Sequence, residues 1–254
     1  EAPLMVRPFI STMTKSELMA VMVGGFATVA GGILAIYVQW LTDIPGIAGH
    51  LLAASVMSAP ASLVVAKIIY PELESSKTQG DLNINIEKAN SNAMEALASG
   101  ATDGLKLAAN VAGMLIAFIS IIAMFNYLLS FANTSIDQIL GLLFQPLAWT
   151  MGIPWEDSAI VGTLMGKKIA FTELIAFGDL KNIIATGQIS DRSALIASYA
   201  LCGFANFGSI GIQLGGIGGM APERKKDLSK IAFKAMIGGA LASFLTATIA
   251  GILI

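Results

Sequence analysis

Charge is scarce in this chain. Of 254 residues only 13% are Asp, Glu, Lys or Arg, against roughly 25% in an average soluble domain. The net charge is −2, so no basic surplus argues for a nucleic-acid surface. A single cysteine, Cys202, lies inside an apolar run. That excludes a disulfide framework or a Cys-rich metal site within the chain and leaves Cys202 as a small packing residue. The one histidine, His50, stands near a loop and receives no role. Without a His/Cys cluster, a membrane-embedded enzyme has no nucleophile–base pair or metal ligands to use.

What is abundant is apolar sequence. Hydrophobic residues make up 55% of the chain. Uncharged runs cover 18–40, 107–131, 193–222 and 235–254, and 47–66 adds a fifth with Pro60 inside. A helix needs roughly 20 apolar residues to cross the hydrocarbon core, and each run suffices. The pattern predicts a multi-pass all-α membrane protein in the lipid bilayer. Residues 72–92 read as a polar loop, and 86–105 as an amphipathic helix lying on the membrane surface. Between Asp137 and Leu180, Pro146, Gly152-Ile153-Pro154 and several charges interrupt the apolar residues. A re-entrant hairpin is expected there, because irregular backbone at membrane depth needs protein or a water-filled cavity around it. The opening Glu1-Ala2-Pro3 reads as the interior of a longer chain.

Basic residues set the orientation. Arg224, Lys225, Lys226, Lys230 and Lys234 crowd one loop, which is expected on the cytoplasmic side. Arg7, Lys15 and the polar loop after Tyr70 then fall on the same side, and the hairpin around Glu173 opens from outside. The charges at Asp43, Glu72, Glu74 and Arg224–Lys226 are expected to be solvated.

A short repeat is visible. Gly25-Phe26-Ala27-Thr28 and Gly203-Phe204-Ala205-Asn206 each lie at a small, polar break inside an apolar run. Each is preceded by an acidic residue, Glu1 or Glu173, and followed by an Ala- and Ser-rich span. The expected orientation makes the two copies antiparallel, as in secondary transporters built from inverted repeats, where broken helices meet at the midplane. A chance match of four residues is the alternative.

Ionisable residues inside a membrane are costly and by default functional. Glu173, followed by Leu174-Ile175-Ala176-Phe177, is the leading candidate. It either accepts hydrogen bonds from sugar hydroxyls or pairs with Lys167 or Lys168. Asn206 offers a donor and an acceptor, for a ribose or base edge or for an interhelical contact. Phe204 packs on a ring or simply on its neighbours. At the first break the Thr28 hydroxyl and freed carbonyls suit a hard cation such as sodium, unless the hydroxyl bonds back to its own helix.

These residues also carry a resemblance. Gly166-Lys167-Lys168-Ile169-Ala170-Phe171-Thr172-Glu173-Leu174-Ile175-Ala176-Phe177 resembles the concentrative nucleoside transporter signature G-x-K-x-x-x-N-E-F-V-A-Y. Gly203-Phe204-Ala205-Asn206-Phe207-Gly208-Ser209-Ile210 resembles that family's GFAN segment, and residues 1–9 resemble the end of its first hairpin. The resemblance covers essentially the whole chain. It implies the C-terminal part of a cation-coupled nucleoside symporter of the bacterial inner membrane. Such a protein is a homotrimer with a scaffold and a transport domain moving by alternating access. Residues 1–70 would hold the end of the first hairpin and two spans of the first repeat. Residues 71–135 would hold the polar loop, the interfacial helix and a scaffold span. Residues 136–254 would hold the second hairpin and two spans of the second repeat.

On this pattern Glu173, Asn206 and Ser209 contact ribose, Phe204 and Ile33 line the pocket, and Glu1 belongs to the tip that reads the base. Thr28 and Val29 match sodium-binding positions. Sodium is the implied coupling ion and no further cofactor is implied; proton coupling, or a pore-type channel, is the alternative. The chain departs from the signature at Thr172, Leu174 and Phe177, where the family has Asn, Phe and Tyr.

Overall fold

A computed structural model describes residues 6–76 and 92–254. The described residues form helices and no strand. A stub, α1 (Arg7–Ile10), leads into α2 (Lys15–Ala27). Thr14 starts α2 with a reciprocal cap. Its hydroxyl accepts the Glu17 N–H at 3.1 Å, and the Glu17 carboxylate accepts the Thr14 N–H at 2.8 Å, so two orphan donors are satisfied together. Three residues, 28–30, interrupt the helix before α3 (Gly31–Trp40). Then come α4 (Ile47–Ile69) and α5 (Ala93–Ser130).

The surface helix expected over 86–105 is, from Ala93 onward, the first part of α5, which runs on through the predicted span without a break; residues 86–91 lie outside the described part. With 38 residues, α5 is about 57 Å long at 1.5 Å per residue. That exceeds the roughly 30 Å hydrocarbon core. Its apolar side chains Ile116, Met124, Tyr127 and Leu128 remain exposed.

The segment expected as one hairpin holds three helices and two turns: α6 (Ile136–Thr150), α7 (Trp155–Ala170) and α8 (Glu173–Ala185). Pro146 sits inside α6 without ending it. The first turn passes through Gly152 at φ 93°, a left-handed value that favours glycine. Gly162 lies against the Gly141 carbonyl with no room for a Cβ, so α6 and α7 pack backbone to backbone. The second turn is only Phe171-Thr172. Lys167 and Asp179 pair across it at 2.5 Å. In a continuous helix they would stand about 18 Å apart, so α8 must fold back along α7.

The chain closes with α9 (Asp191–Leu201), a second interruption at 202–206, α10 (Phe207–Met220), a 3-10 turn (Pro222–Arg224) and α11 (Lys225–Leu253). Helix α11 packs against α2, α4, α9 and α10. Its buried face is built of Ala235, Gly238, Gly239, Ala242, Ser243 and Ala247, and Gly239 meets Phe26 where a Cβ would clash. Small residues are how helices approach closely where lipid supplies no hydrophobic drive. Among the described residues, 15–40, 47–69 and 222–253 are long and apolar enough to cross a bilayer.

Polar clusters gather at the two ends of the helices. At one end Lys67 donates to Ser16 at 2.7 Å, Ser16 to the Tyr70 carbonyl at 2.8 Å, and Thr14 to Glu72 at 2.8 Å. Arg224 belongs to this end, but it is no solvated loop charge. Its guanidinium donates to the carbonyls of Ile10, Ser11 and Met13 at 3.0, 3.0 and 2.7 Å, and to Asp227 at 3.1 Å. A planar, five-donor group can close several helix-end carbonyls that an ammonium cannot. At the other end Arg192 donates to the Gly251 carbonyl at 2.8 Å, and Ser190 to Asp157 at 2.6 Å.

Candidate functional site

The two interruptions meet. Gly203 lies against the carbonyls of Phe26 and Ala27, which a Cβ there would approach to 3.3 and 3.1 Å. These belong to the last four carbonyls of α2, which have no partner within their helix. Farther along α10, Gln213 donates to the Met22 carbonyl at 3.1 Å, its amide lying over Gly25. Moving forward on α10 therefore means moving backward on α2: the interrupted helices pass in antiparallel sense. The glycine that begins each repeat segment is there for this contact.

Beside the second break the hairpin delivers Glu173. Thr172 caps α8, its hydroxyl accepting the Ile175 N–H at 3.4 Å. Glu173 is then the first helical residue, only 4% exposed. Its carboxylate receives Asn206 Nδ2 at 3.1 Å on one oxygen and the Tyr37 hydroxyl at 3.4 Å on the other. Asn206 is itself the cap of α10, its Oδ1 accepting the N–H and the hydroxyl of Ser209, both at 2.8 Å. One buried carboxylate thus joins three elements, α3, α8 and α10. A carboxylate has about four lone-pair positions, so acceptor capacity remains beyond Tyr37 and Asn206.

Neither lysine pairs with Glu173. Lys167 is taken by Asp179, and Lys168 Nζ donates to the Ala200 carbonyl at 2.8 Å. The structure brings Glu173, Asn206 and Ser209 together. Phe204 lies half-buried in the same break, and Ile33 stands exposed one turn before Tyr37, on the same face of α3. Thr28 and Val29 occupy the other break, half-buried; the Thr28 hydroxyl does bond back, to the Gly24 carbonyl at 2.9 Å. Its proton is committed, while its oxygen keeps lone pairs for a cation. Glu1 lies outside the described residues. His50 has a partner too: its Nδ1 is 3.0 Å from the Tyr199 hydroxyl.

Tyr37 is the site residue that sequence reasoning missed. It is fully buried and stacked on Phe177, with ring centroids 3.9 Å apart. One signal was available: a tyrosine inside an apolar run must find a partner for its hydroxyl, and a buried carboxylate is the strongest acceptor on offer.

The chain is similar to known proteins over essentially its whole length. A family profile described as "Na+ dependent nucleoside transporter C-terminus" matches residues 50–251. Solute carrier family 28 member 3 of Mus musculus is 42% identical over 275 residues, covering all of this chain and 38% of its own length. Sodium/nucleoside cotransporter 1 of Mus musculus is 40% identical, covering all of this chain and 42% of its own length. A structure described as CNTnw in an inward-facing substrate-bound state is similar at TM-score 0.81 and 42% identity, over 98% of this chain and 60% of that one. The chain therefore spans less than two thirds of these relatives' length. With matching profile, matching fold, and the signature residues gathered at one buried carboxylate, the chain belongs to the concentrative nucleoside transporter family, of which it carries the C-terminal region.

Proposed function

We propose that the intact protein is a sodium-coupled nucleoside symporter of the bacterial inner membrane, a homotrimer working by alternating access. The observation that carries this reading is the buried carboxylate of Glu173, held between Tyr37 and Asn206 at the junction of a hairpin and an interrupted helix. In the substrate complex the remaining acceptor capacity of Glu173 takes the hydroxyls of a ribose diol. Asn206 and Ser209 exchange their mutual bonds for bonds to the sugar, and Phe204 and Ile33 cover its apolar faces. Residues 1–70 and 136–254 form the moving part as two inverted repeats, and 71–135 belong to the scaffold. Helix ends supply partial charges at the centre, and a polar cradle replaces the substrate's hydration.

Sodium is preferred as the coupling ion because the break at Thr28 and Val29 offers oxygen ligands, which hard cations favour. The relatives described as sodium-dependent nucleoside transporters point the same way. Proton coupling is the rival, since a buried carboxylate such as Glu173 can also carry a proton. Uptake of radiolabelled uridine by the intact protein in proteoliposomes decides between them. Accumulation driven by an inward sodium gradient at equal pH is the expected result. Accumulation driven only by a proton gradient replaces sodium with protons, and gradient-independent, non-saturable flux replaces the symporter with a pore.

A further inference from the structure

Lys168 is wholly buried, yet neither the site described above nor the proposed transport cycle uses it. A buried lysine is tolerated only when its charge finds compensation. Here the ammonium donates to the Ala200 carbonyl at 2.8 Å and lies 5.5 Å from the centroid of the Phe244 ring. Ala200 sits in the last turn of α9, where carbonyls have no intrahelical donor and the helix end carries partial negative charge. Three of the last four carbonyls of α9 find donors. The Cys202 N–H serves the Ser198 and Tyr199 carbonyls, Ser243 serves the Cys202 carbonyl at 3.1 Å, and Lys168 serves Ala200.

The place of this bond in the fold gives it a consequence. Lys168 lies in the last turn of α7, just before the turn that presents Glu173. Ala200 lies in the last turn of α9, just before the break that presents Asn206. One hydrogen bond therefore joins the two element ends that aim the two partners of the cradle. We propose that Lys168 is a positioning residue for nucleoside binding: it locks the hairpin turn to the interrupted helix so that Glu173 and Asn206 stay in register for the ribose diol. This rests on the nucleoside-transport reading above. Lys168 touches no substrate and acts through Glu173. Without it the Ala200 carbonyl is orphaned and the two ends lose a direct link, so that the Glu173–Asn206 contact alone must hold the register.

The test is equilibrium binding to the intact protein, purified with its native oligomeric state checked. Radiolabelled uridine is the probe, and 2′,3′-dideoxyuridine competes against it. Lys168→Met keeps most of the length of the side chain and removes the donor. It should weaken uridine by about tenfold, the worth of one charge-assisted hydrogen bond, and dideoxyuridine by less than about twofold, because only the diol reads the register. Lys168→Arg should recover part of the uridine affinity. Equal weakening of both ligands by Lys168→Met, or no weakening, overturns the positioning role. Failure of both variants to assemble also overturns it, making Lys168 a folding residue. Wild-type protein that binds no nucleoside overturns the function proposed above instead, and so separates the two failures.

Discussion

The two interrupted helices begin from nearly the same four residues and end in different conditions. The break at 202–206 is closed: its carbonyls are met by Lys168 and Ser243, its new helix is capped by Asn206, and that cap also holds Glu173. The break at 28–30 is open. Helix α3 starts from Ala30 with no side-chain cap, residues 30–33 are exposed, and Thr28 turns back to its own helix. Position makes the difference: Asn206 stands directly at the cap of α10, whereas Thr28 ends α2 and the residue that precedes α3 is Ala30, whose side chain cannot accept a hydrogen bond. The closed break is the organised half of the cradle, and the open one leaves backbone oxygens available to an ion.

Three substitutions in the intact protein sharpen this contrast. The largest effect is expected at the closed break. Glu173→Gln keeps the shape but turns an acceptor-only group into one that also donates, and it removes the charge that strengthens the substrate bonds. Uridine uptake should fall by at least about a hundredfold, two charge-assisted bonds at roughly tenfold each, with assembly retained. Wild-type-like uptake would remove Glu173 from the site.

At the open break a smaller and different effect is expected. Thr28→Val deletes one candidate oxygen without changing volume. It should raise the sodium concentration for half-maximal uptake about two- to fivefold, while nucleoside affinity at saturating sodium stays within about twofold. A change in nucleoside affinity alone would mean that the two breaks do not divide the work between ion and substrate.

The smallest effect is expected at Thr172, which caps α8 beside Glu173. Thr172→Asn restores the signature residue, and asparagine also caps well, so folding should be indifferent. The ranking among nucleosides in competition assays should shift by about threefold. An unchanged ranking would confine residue 172 to its cap.

Much of this was legible in the sequence, and the exceptions have physical reasons. Glu173 and Asn206 announced themselves because charge and amide are expensive at membrane depth. The interruptions announced themselves because Gly, Thr and Asn break an apolar pattern. Tyr37 did not, since its ring suits an apolar run and only the approach of Glu173 makes its hydroxyl matter. Arg224 read as one member of a basic loop, because nothing local says that three carbonyls near Ile10 converge on it. The double turn over 136–185 was read as a single hairpin because Gly152 carries a turn signal that Phe171-Thr172 does not.

By itself, the sequence determined that this chain lives in a bilayer, which residues are too polar to sit there idly, and where two of its spans are interrupted. Those are costs paid residue by residue against lipid, so local composition is enough to read them. Which stops meet, which lysine serves which carbonyl, and which aromatic touches the buried acid were decided only in three dimensions. Such partners lie tens to hundreds of residues apart along the chain, and packing alone chooses among many equally suitable donors.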